Sequence, residues 1–496
     1  MNSRRRPLSV RARMDRVVKA LRPARSSADD AEAIHDLRAA IRRCRSIATV
    51  MAEVDGDRSW QALRRLPRSL FRALGALRDL QVLEASVERL TSPGDPIRSA
   101  LLRRLRTGQA GRRKDVRRAI RAFDRRAWAR LAGRVSRRIG VVAPNGLAAQ
   151  CLALERYEDF RRLHVCTMQR GTPAHWHALR IGVKRFRYAI ETLLPERSVL
   201  WDASLGEIQT LLGDIHDLDV LRSRIASSNQ ARSESAARLR HAIAAARGHC
   251  IQEYWKRTRG EGNLPSTWRA ALPSGKAIES ADAARIDATA RAMDSHPRRT
   301  AAISRVALAL FDDLTALGAL RARHDGRLRV VLHTAARLHG IQVNRDHGPS
   351  HKAARDFLRE TPPPPGWTAE DWDLVAHAVR YCRRAEPRAR HRTFARLSPD
   401  QQQRVRAVAG VLRLARGLYR CGVRAAARIQ LDATADHVRL LVAGVRDTKA
   451  DAARLAAAKH LLDGSLRRPL VVEFAGAASP VPSPRLHLVH SSTGRG

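Results

Sequence analysis

Two helical motifs occur twice in this chain, in the same order, and this internal repeat constrains the fold more than any other feature. The stretch "HDLRAAIRRCRS" begins at His35 and recurs as "HALRIGVKRFRY" at His177. A second stretch, "LGALRDLQVL", begins at Leu74 and recurs as "LGDIHDLDVL" at Leu212. Because both motifs recur in one order, the sequence predicts a duplicated α-helical unit.

The first motif predicts a helix in which a buried seam lies beside a strip of basic residues. The seam residues are Leu37, Ile41 and Cys44 in the first copy and Leu179, Val183 and Phe186 in the second. The basic residues share offsets 0, 3, 7 and 10 from the leading histidine, which lie within about 80° of one another on a helix. We call His35, Arg38, Arg42 and Arg45 the first strip, and His177, Arg180, Lys184 and Arg187 the second strip.

Like charges at this spacing repel one another, so each strip predicts an anionic partner. A solvated charged face is the simpler interpretation of one such helix, but it requires neither shared offsets nor a second copy. If the two units pack about a pseudo-twofold axis, the strips face each other across a groove that fits a linear polyanion. The whole chain has 93 Lys and Arg residues against 48 Asp and Glu, a net charge of +45, which also attracts polyanions.

The residue types beside the strips favour a polymer made of phosphate alone. Arginine makes bidentate contacts to phosphate oxygens. Single-stranded nucleic acid also needs aromatic side chains on which its bases stack, and aromatic residues make up only 4% of the chain. No helix-turn-helix or zinc-finger spacing indicates a duplex DNA reader. We therefore expect inorganic polyphosphate as the partner, with nonspecific nucleic-acid or ribosome-associated binding as the alternative.

The hydrophobic periodicity is helical nearly throughout, and strand patterns occur only after residue 425. There, "AARIQLDATADHVRLLVAGV" predicts a hairpin and "PLVVEF" a third strand. The predicted fold is all-α: a duplicated antiparallel helical bundle followed by a second, mainly helical domain with a small terminal β-hairpin. Six separated cysteines without a CxxC pair, and no apolar run of about 18 residues, predict a reduced cytoplasmic protein without a membrane span.

Both copies of both motifs resemble the paired signatures of the CHAD domain, the conserved-histidine α-helical domain. The resemblance covers residues 8–257, as two repeats at about 8–140 and 147–257. It implies a basic channel that binds polyphosphate and directs the protein to polyphosphate granules. The implied ligand contacts are His35, Arg38, Arg42, Arg43, Arg45, His177, Arg180, Lys184, Arg185 and Arg187. Asp79 and Asp217 are implied as carboxylates that orient basic side chains.

The second half of the chain predicts a separate domain. Residues 258–279 are rich in Gly, Pro and Ser and predict a linker. Residues 280–474, through "VVLHTAARLHGIQVNRDHGPSHKAARDFL" and "LVAHAVRYCRRAEP", are similar to the C-terminal domain of the exopolyphosphatase/guanosine pentaphosphatase family. That resemblance implies a degenerate HD-type domain. Residues 475–496 predict a disordered tail.

An HD metal site requires a leading His, a His-Asp pair and a later Asp. His296 and His339 fit two places, but the pair is His339-Gly340 and the later acid position is Arg416, which repels a cation. We therefore expect no metal, no cofactor and no catalytic residue, with hydrolysis of polyphosphate or a related phosphate ester by this domain as a second alternative. For four further positions a structural or solvent role is favoured over an anion surface: His339, His347, His351 and Arg383.

Overall fold

The computed structural model of the chain describes residues 9–26, 30–227, 232–321, 326–343, 351–383, 385–445 and 448–475. The chain divides into two compact units. Unit one is Met1–Met293 with Pro364–Gly366, and unit two is Asp294–Pro363 with Trp367–Gly496. The described part is mainly helical with one small sheet near its C-terminal end, so the predicted all-α fold with a terminal hairpin is confirmed.

Unit one is built from helices joined by short connections, with one 3₁₀ turn at Ile139–Val141 where the sequence interrupts the helical pattern. Its helices are α1 Val10–Ser26, α2 Ala31–Met51, α3 Arg58–Arg65, α4 Arg68–Leu90, α5 Pro96–Arg121, α6 Arg125–Arg138, α7 Leu147–Arg170, α8 Pro173–Leu193, α9 Pro195–Ala226, α10 Glu234–Thr258, α11 Leu264–Ala270 and α12 Lys276–Met293.

The helices that carry the two strips begin in equivalent ways. The Asp30 side chain accepts hydrogen bonds from the backbone N–H groups of Glu32 and Ala33 at the start of α2. The Thr172 side chain accepts the corresponding bond at the start of α8. These caps satisfy backbone donors that have no partner within the helix. Each cap lies five residues before its leading histidine (30 to 35, and 172 to 177), so both strips begin at the same point of their helices.

The two repeats pack through equivalent helices. The first copies of the two motifs lie on α2 and α4, and the second copies on α8 and α9. Helix α2 packs against α8, and α4 packs against α9. All six seam residues of the first motif are fully buried in one hydrophobic core. A second, smaller core joins the ends of α4, α5, α9 and α10, so burial of the repeated seams holds the duplicated bundle together.

The residues predicted as a linker, 258–279, belong to unit one and contain helix α11 and the start of α12. Trp268 on α11 is buried against the rings of Phe160 and Phe186, each 5.8 Å from the Trp268 ring between centroids. Its Nε1 donates a 3.2 Å hydrogen bond to Ser204 Oγ. Burial of an indole ring is strongly favourable. This segment therefore packs against the bundle, and the unit extends to Met293.

Unit two is also mainly helical, and α18 is the helix against which most of the others pack. The helices are α13 Pro297–Ala316, α14 Gly326–Leu338, α15 His351–Glu360, α16 Ala369–Tyr381, α17 Arg392–Ala395, α18 Pro399–Arg420 and α19 Lys449–Asp463, and the strands are β1 Ile429–Ala433, β2 Val438–Ala443 and β3 Leu470–Ala475. Ser398 and Gln401 form a capping box at the start of α18. Its central residues are buried on every side by α13, α14, α16 and α19.

The sheet of unit two contains the predicted hairpin and the predicted third strand. β1 pairs with β2 in antiparallel register, with Leu431 opposite Leu440. β3 pairs with β2 in parallel register, with Val438 opposite Leu470, and α19 connects the two strands. The predicted tail, 475–496, lies outside the described residues except for Ala475, the last residue of β3. Among the described helices, none combines the length and the hydropathy needed to span a bilayer.

Candidate functional site: a cationic cluster between the repeated helices

The first and second strips lie side by side in unit one. Arg42 Nη1 on α2 donates a 3.0 Å hydrogen bond to Tyr188 Oη on α8. Arg38 lies within electrostatic range of Arg180, and Lys184 lies within range of both Arg38 and Arg42. The packing of α2 against α8 therefore brings the middle residues of both strips together. We call Arg38, Arg42, Arg180 and Lys184 the central cluster.

The central cluster is crowded and partly desolvated. Burial, followed by the charges of Arg180, Arg42 and Arg38, lowers the pKa of Lys184 to about 7. Burial is also the main cause of the lowered pKa of Arg38 and of Arg180. Removing cations from water while like charges surround them is unfavourable. An anion between the two strips would offset this unfavourable energy.

The donors of the central cluster are not used up by neighbouring carboxylates. In the described part of the chain, Lys184 makes no hydrogen bond or ion pair, and the buried Arg180 Nε has no hydrogen-bond partner. Buried polar atoms in proteins almost always have a partner. These unused donors are therefore available to a ligand with several oxygen acceptors.

Asp79 on α4 and Asp217 on α9 are the carboxylates nearest to the central cluster. Asp79 acts electrostatically on Arg38 and Arg180, and Asp217 on Arg180 and Lys184. Neither carboxylate forms an ion pair within 4.0 Å among the described residues. Burial raises the pKa of Asp217, and the positive charge of Arg180 opposes this shift without cancelling it. Their predicted role in orienting the cations stays a prediction, and the structure shows only their electrostatic influence.

Two arginines of the first strip contact an aromatic ring rather than a carboxylate. Arg38 and Arg45 both lie over the Phe71 ring, with their Cζ atoms 5.0 and 4.6 Å from its centroid. A Cβ atom added at Gly75 would collide with Arg38 Nη1, so this glycine leaves the space that the guanidinium occupies. The leading His35 is exposed, and burial and the charge of Arg78 lower its pKa.

Three predicted contacts lie apart from the central cluster. Arg187 Nη2 forms a 2.7 Å ion pair with Asp202, and Arg187 Nε lies 3.5 Å from Glu191. Arg43 Nε pairs with the same Glu191 at 3.3 Å, beside a small cavity of about 220 Å³ that Arg13 also lines. Arg185 is exposed on α8. Arg187 and Arg43 are therefore paired with carboxylates, whereas Arg185 lies on the exposed side of α8, outside the central cluster.

Four residues that the strip pattern does not contain belong to the site: Phe71, Arg78, Tyr188 and His216. His216 Nδ1 lies 3.1 Å from His177 Nδ1, and burial, then Arg180 and His177, lower the pKa of His216 to about 4. Arg78 and His216 both precede the aspartate of the second motif. The presence of a basic residue at this place in both copies of the second motif is the sequence signal that would have identified Arg78 and His216.

The predicted HD positions of unit two hold no set of metal ligands. His339 is buried, its Nδ1 lies 2.7 Å from the Ala336 carbonyl oxygen, and burial and the Arg416 charge lower its pKa to about 3. A Cβ atom at Gly340 would collide with Thr300 and Asp294. In the described ranges, no group of three or more His, Cys, Asp or Glu residues could hold a metal ion.

The other positions named for unit two differ in what the structure shows. His296 precedes α13, and its backbone N–H donates a 2.8 Å hydrogen bond to Asp294. Burial, followed by the charge of Arg383, lowers the pKa of His351. His347, the remaining residue named for this domain, lies outside the described residues.

Comparison with known proteins identifies the class of the first unit. Residues 9–226 match the family model of the CHAD domain, so the predicted CHAD domain is confirmed for this part of the chain. A solved structure similar to the chain is the crystal structure of the CHAD domain from the plant Ricinus communis, at 21% identity and a TM-score of 0.37, covering 54% of this chain and 91% of that chain. A search of curated proteins finds no match. The matched residues end at 226, so the resemblance predicted for residues 280–474 gains no support.

Proposed function

We propose that unit one binds inorganic polyphosphate along the central cluster. The observation that carries this proposal is the proximity of Arg38 and Arg42 to Arg180 and Lys184. These four cations come from both repeats, and none of them forms an ion pair with a carboxylate of the described residues. A chain of phosphates presents oxygen acceptors at regular intervals, which suits two parallel rows of donors. Charge-assisted hydrogen bonds of this kind contribute roughly 1.5–3 kcal/mol each.

The aromatic side chains of the site favour polyphosphate over nucleic acid. The Phe71 ring is covered by Arg38 and Arg45, and the Tyr188 hydroxyl is bonded to Arg42. Neither ring is therefore free to stack on a base, which is how single-stranded nucleic acids gain much of their affinity. The same cations attract any polyanion, so competition at physiological salt decides between the two ligands. Displacement of polyphosphate by RNA or duplex DNA at equal phosphate concentration would favour the nucleic-acid alternative.

Charge reversal in the central cluster tests the proposal directly. Arg42→Glu with Lys184→Glu removes one cation from each strip and adds two repulsive charges, so polyphosphate affinity should fall on the order of a thousandfold or more. Isothermal titration calorimetry with polyphosphate of defined length measures the change. Circular dichroism should hardly change and the melting temperature should not fall, because neither side chain belongs to the buried seam and the like charges repel one another.

The matched control is Arg117→Glu with Arg121→Glu, which changes the net charge by the same amount on exposed positions of α5. This control should lower the affinity several-fold at most, through the general field of the protein. Equal losses in the two double variants would show that binding is a diffuse effect of the +45 charge and would contradict the proposal.

We further propose that the chain localises to polyphosphate granules and binds the polymer without hydrolysing it. The proposal also takes unit two to be a degenerate relative of the exopolyphosphatase C-terminal domain. Gly340 and Arg416 at the two acid positions support this, because neither residue can ligate a divalent cation. Phosphate release in the presence of Mg²⁺ or Mn²⁺ that is lost in His339→Ala would contradict it. Fluorescence imaging of the tagged chain in cells that contain granules tests the localisation.

A further inference from the structure

Unit two contains a cavity of about 670 Å³ beside α18 and α19, beyond the C-terminal end of α16. The described residues that line it include Arg383, Arg413, Arg416, Arg420 and Arg454. Among the described residues that line the cavity, Glu386 is the one carboxylate. The cavity is therefore strongly cationic, and nothing in the binding proposed for unit one uses it.

Part of this charge is already paired within the protein. Arg413 Nη2 donates hydrogen bonds of 2.9 and 2.6 Å to the carbonyl oxygens of Tyr381 and Ala385. Arg454 pairs with Asp451 on its own helix. Glu386 lies 3.3 Å from His460 and 3.6 Å from Arg388, and within the described part of the chain it forms no ion pair with the arginines that line the cavity. This leaves Arg383, Arg416 and Arg420 as the cations available to a ligand.

Arg416 is the most informative of these cations. It is 6% exposed and lines the cavity, yet within the described part of the chain its guanidinium makes no hydrogen bond or ion pair. The charged groups that face it include Arg383, Arg299 and Arg420. Burial, and then repulsion by these arginines, lowers the pKa of Arg416 to about 10. A buried guanidinium surrounded by like charges is costly unless an anion compensates it.

The rest of the lining limits the kind of anion. Gly417 and Ala456–Ala458 contribute small apolar surface, and no Phe, Tyr or Trp side chain of the described chain lines the cavity. The one ring in the described lining is the His460 imidazole, whose Nδ1 lies 3.3 Å from Glu386. A nucleoside base would therefore find no large aromatic ring to stack on. Planar guanidinium groups suit the oxygens of phosphate. The volume exceeds what one phosphate group fills.

We propose that this cavity binds a compact anion that carries several phosphate groups, with Arg416 as the buried contact and with Arg383 and Arg420 beside it. Either a free oligophosphate or the end of a longer polyphosphate chain has this chemistry. The site uses residues of unit two only, so it does not depend on the function proposed for the central cluster.

Tripolyphosphate is the probe, titrated by calorimetry into the full chain carrying Arg42→Glu and Lys184→Glu, in which the central cluster is reversed. One binding event should remain. Adding Arg416→Met should lower its affinity tenfold or more, and adding Arg420→Met about threefold, because Arg420 is exposed and better solvated. The matched control, Arg406→Met on the same helix, removes an arginine that lies over Phe394 and should change the affinity less than twofold.

Absence of binding in the reversed background, or equal losses in Arg416→Met and Arg406→Met, would overturn the proposal. If Arg416→Met does not fold, Arg420→Met decides, and full affinity in that variant contradicts the site. Displacement of tripolyphosphate by inorganic phosphate at similar concentration also contradicts the proposed ligand class.

Equal affinity for tripolyphosphate and for long polyphosphate, with the polymer concentration counted as chain ends, assigns the site to polymer ends. A tenfold preference for tripolyphosphate assigns it to a free oligophosphate. If the strip proposal fails, the reversed background retains its affinity for long polyphosphate, and the comparison of Arg416 with Arg406 remains decisive.

Discussion

The two strips occupy equivalent places in their repeats but hold their last arginine in different ways. In the first repeat, Arg45 lies over the Phe71 ring, and the residue one helical turn later is Thr49. In the second repeat, Arg187 Nη1 lies 3.5 Å from Gln209 Oε1, at the position that corresponds to Phe71. The residue one turn after Arg187 is Glu191, which pairs with it. An aromatic face leaves the charge of an arginine unneutralised, whereas a carboxylate neutralises it.

The two repeats therefore resemble each other more closely in the positions of their helices than in the charges of their side chains. The buried seams and the N-caps match in both copies. The second repeat has a lysine at the position of Arg42, a histidine at the position of Arg78 and carboxylates beside its last arginine. The first strip should therefore supply a permanent positive charge, while the second strip should respond to ligand and pH.

The largest effect that distinguishes the strips is expected for their last arginines. Arg45→Met removes an unpaired cation, so polyphosphate affinity should fall on the order of thirtyfold. Arg187→Met removes a cation that Asp202 and Glu191 already neutralise, so the fall should be less than about threefold. Calorimetric titration at one fixed salt concentration measures both. Equal losses would mean that polyphosphate displaces the carboxylates from Arg187, and the two strips would then be equivalent in function.

A smaller effect is expected from pH, and it should depend on the second strip. The pKa of Lys184 is lowered to about 7 by burial and by Arg180, whereas bound phosphates would raise it again. Polyphosphate affinity should therefore be highest below pH 7 and fall as the pH rises through 7, by about tenfold at pH 9, as a charge-assisted contact becomes neutral. Lys184→Arg should remove most of this dependence. A dependence that persists in Lys184→Arg would assign it to the histidines His35 and His177.

The same lowered pKa predicts a change in stability without ligand. An unfolded lysine has a pKa near 10.4, so between about pH 7 and that value the unfolded chain binds more protons at Lys184 than the folded chain does. The contribution of this group to stability should therefore increase with pH across that window. Thermal denaturation of Lys184→Met should lack this increase and should show a melting temperature a few degrees higher at neutral pH.

The smallest effect is expected from substitution of Gly75 and Gly213, the second residues of the two copies of the second motif. Gly213→Ala meets open space in a helix, so it should stabilise the protein by about 1 kcal/mol and leave the affinity unchanged. Gly75→Ala requires Arg38 to move, so the affinity should fall about threefold. Chemical denaturation and calorimetry measure the two quantities. Similar affinities in both variants would show that Arg38 can bind phosphate from another position.

Much of the site could be predicted from the sequence because its basic residues occur at equivalent positions in the two repeats. Positions that recur at the same offsets, such as Arg38 with Arg180, are visible without a structure. Tyr188 and Phe71 were missed because they join the site through contacts between different helices. The Gly, Pro and Ser residues of 258–279 indicated a linker, whereas the burial of Trp268 depends on rings of α7 and α8 that are distant in sequence.

The helical periodicity, the duplication, the buried seams and the basic residues along each strip can be read from the sequence, since they depend on residue type and spacing within one helix. Which cations form ion pairs depends on the tertiary structure, because an ion pair between separate helices requires their two side chains to lie close together. Arg187 and Arg42 belong to the same pattern, but Asp202 reaches the first while Lys184 crowds the second. The tertiary structure likewise placed Arg416, which makes no hydrogen bond or ion pair among the described residues, in a cavity whose walls come from several parts of the chain.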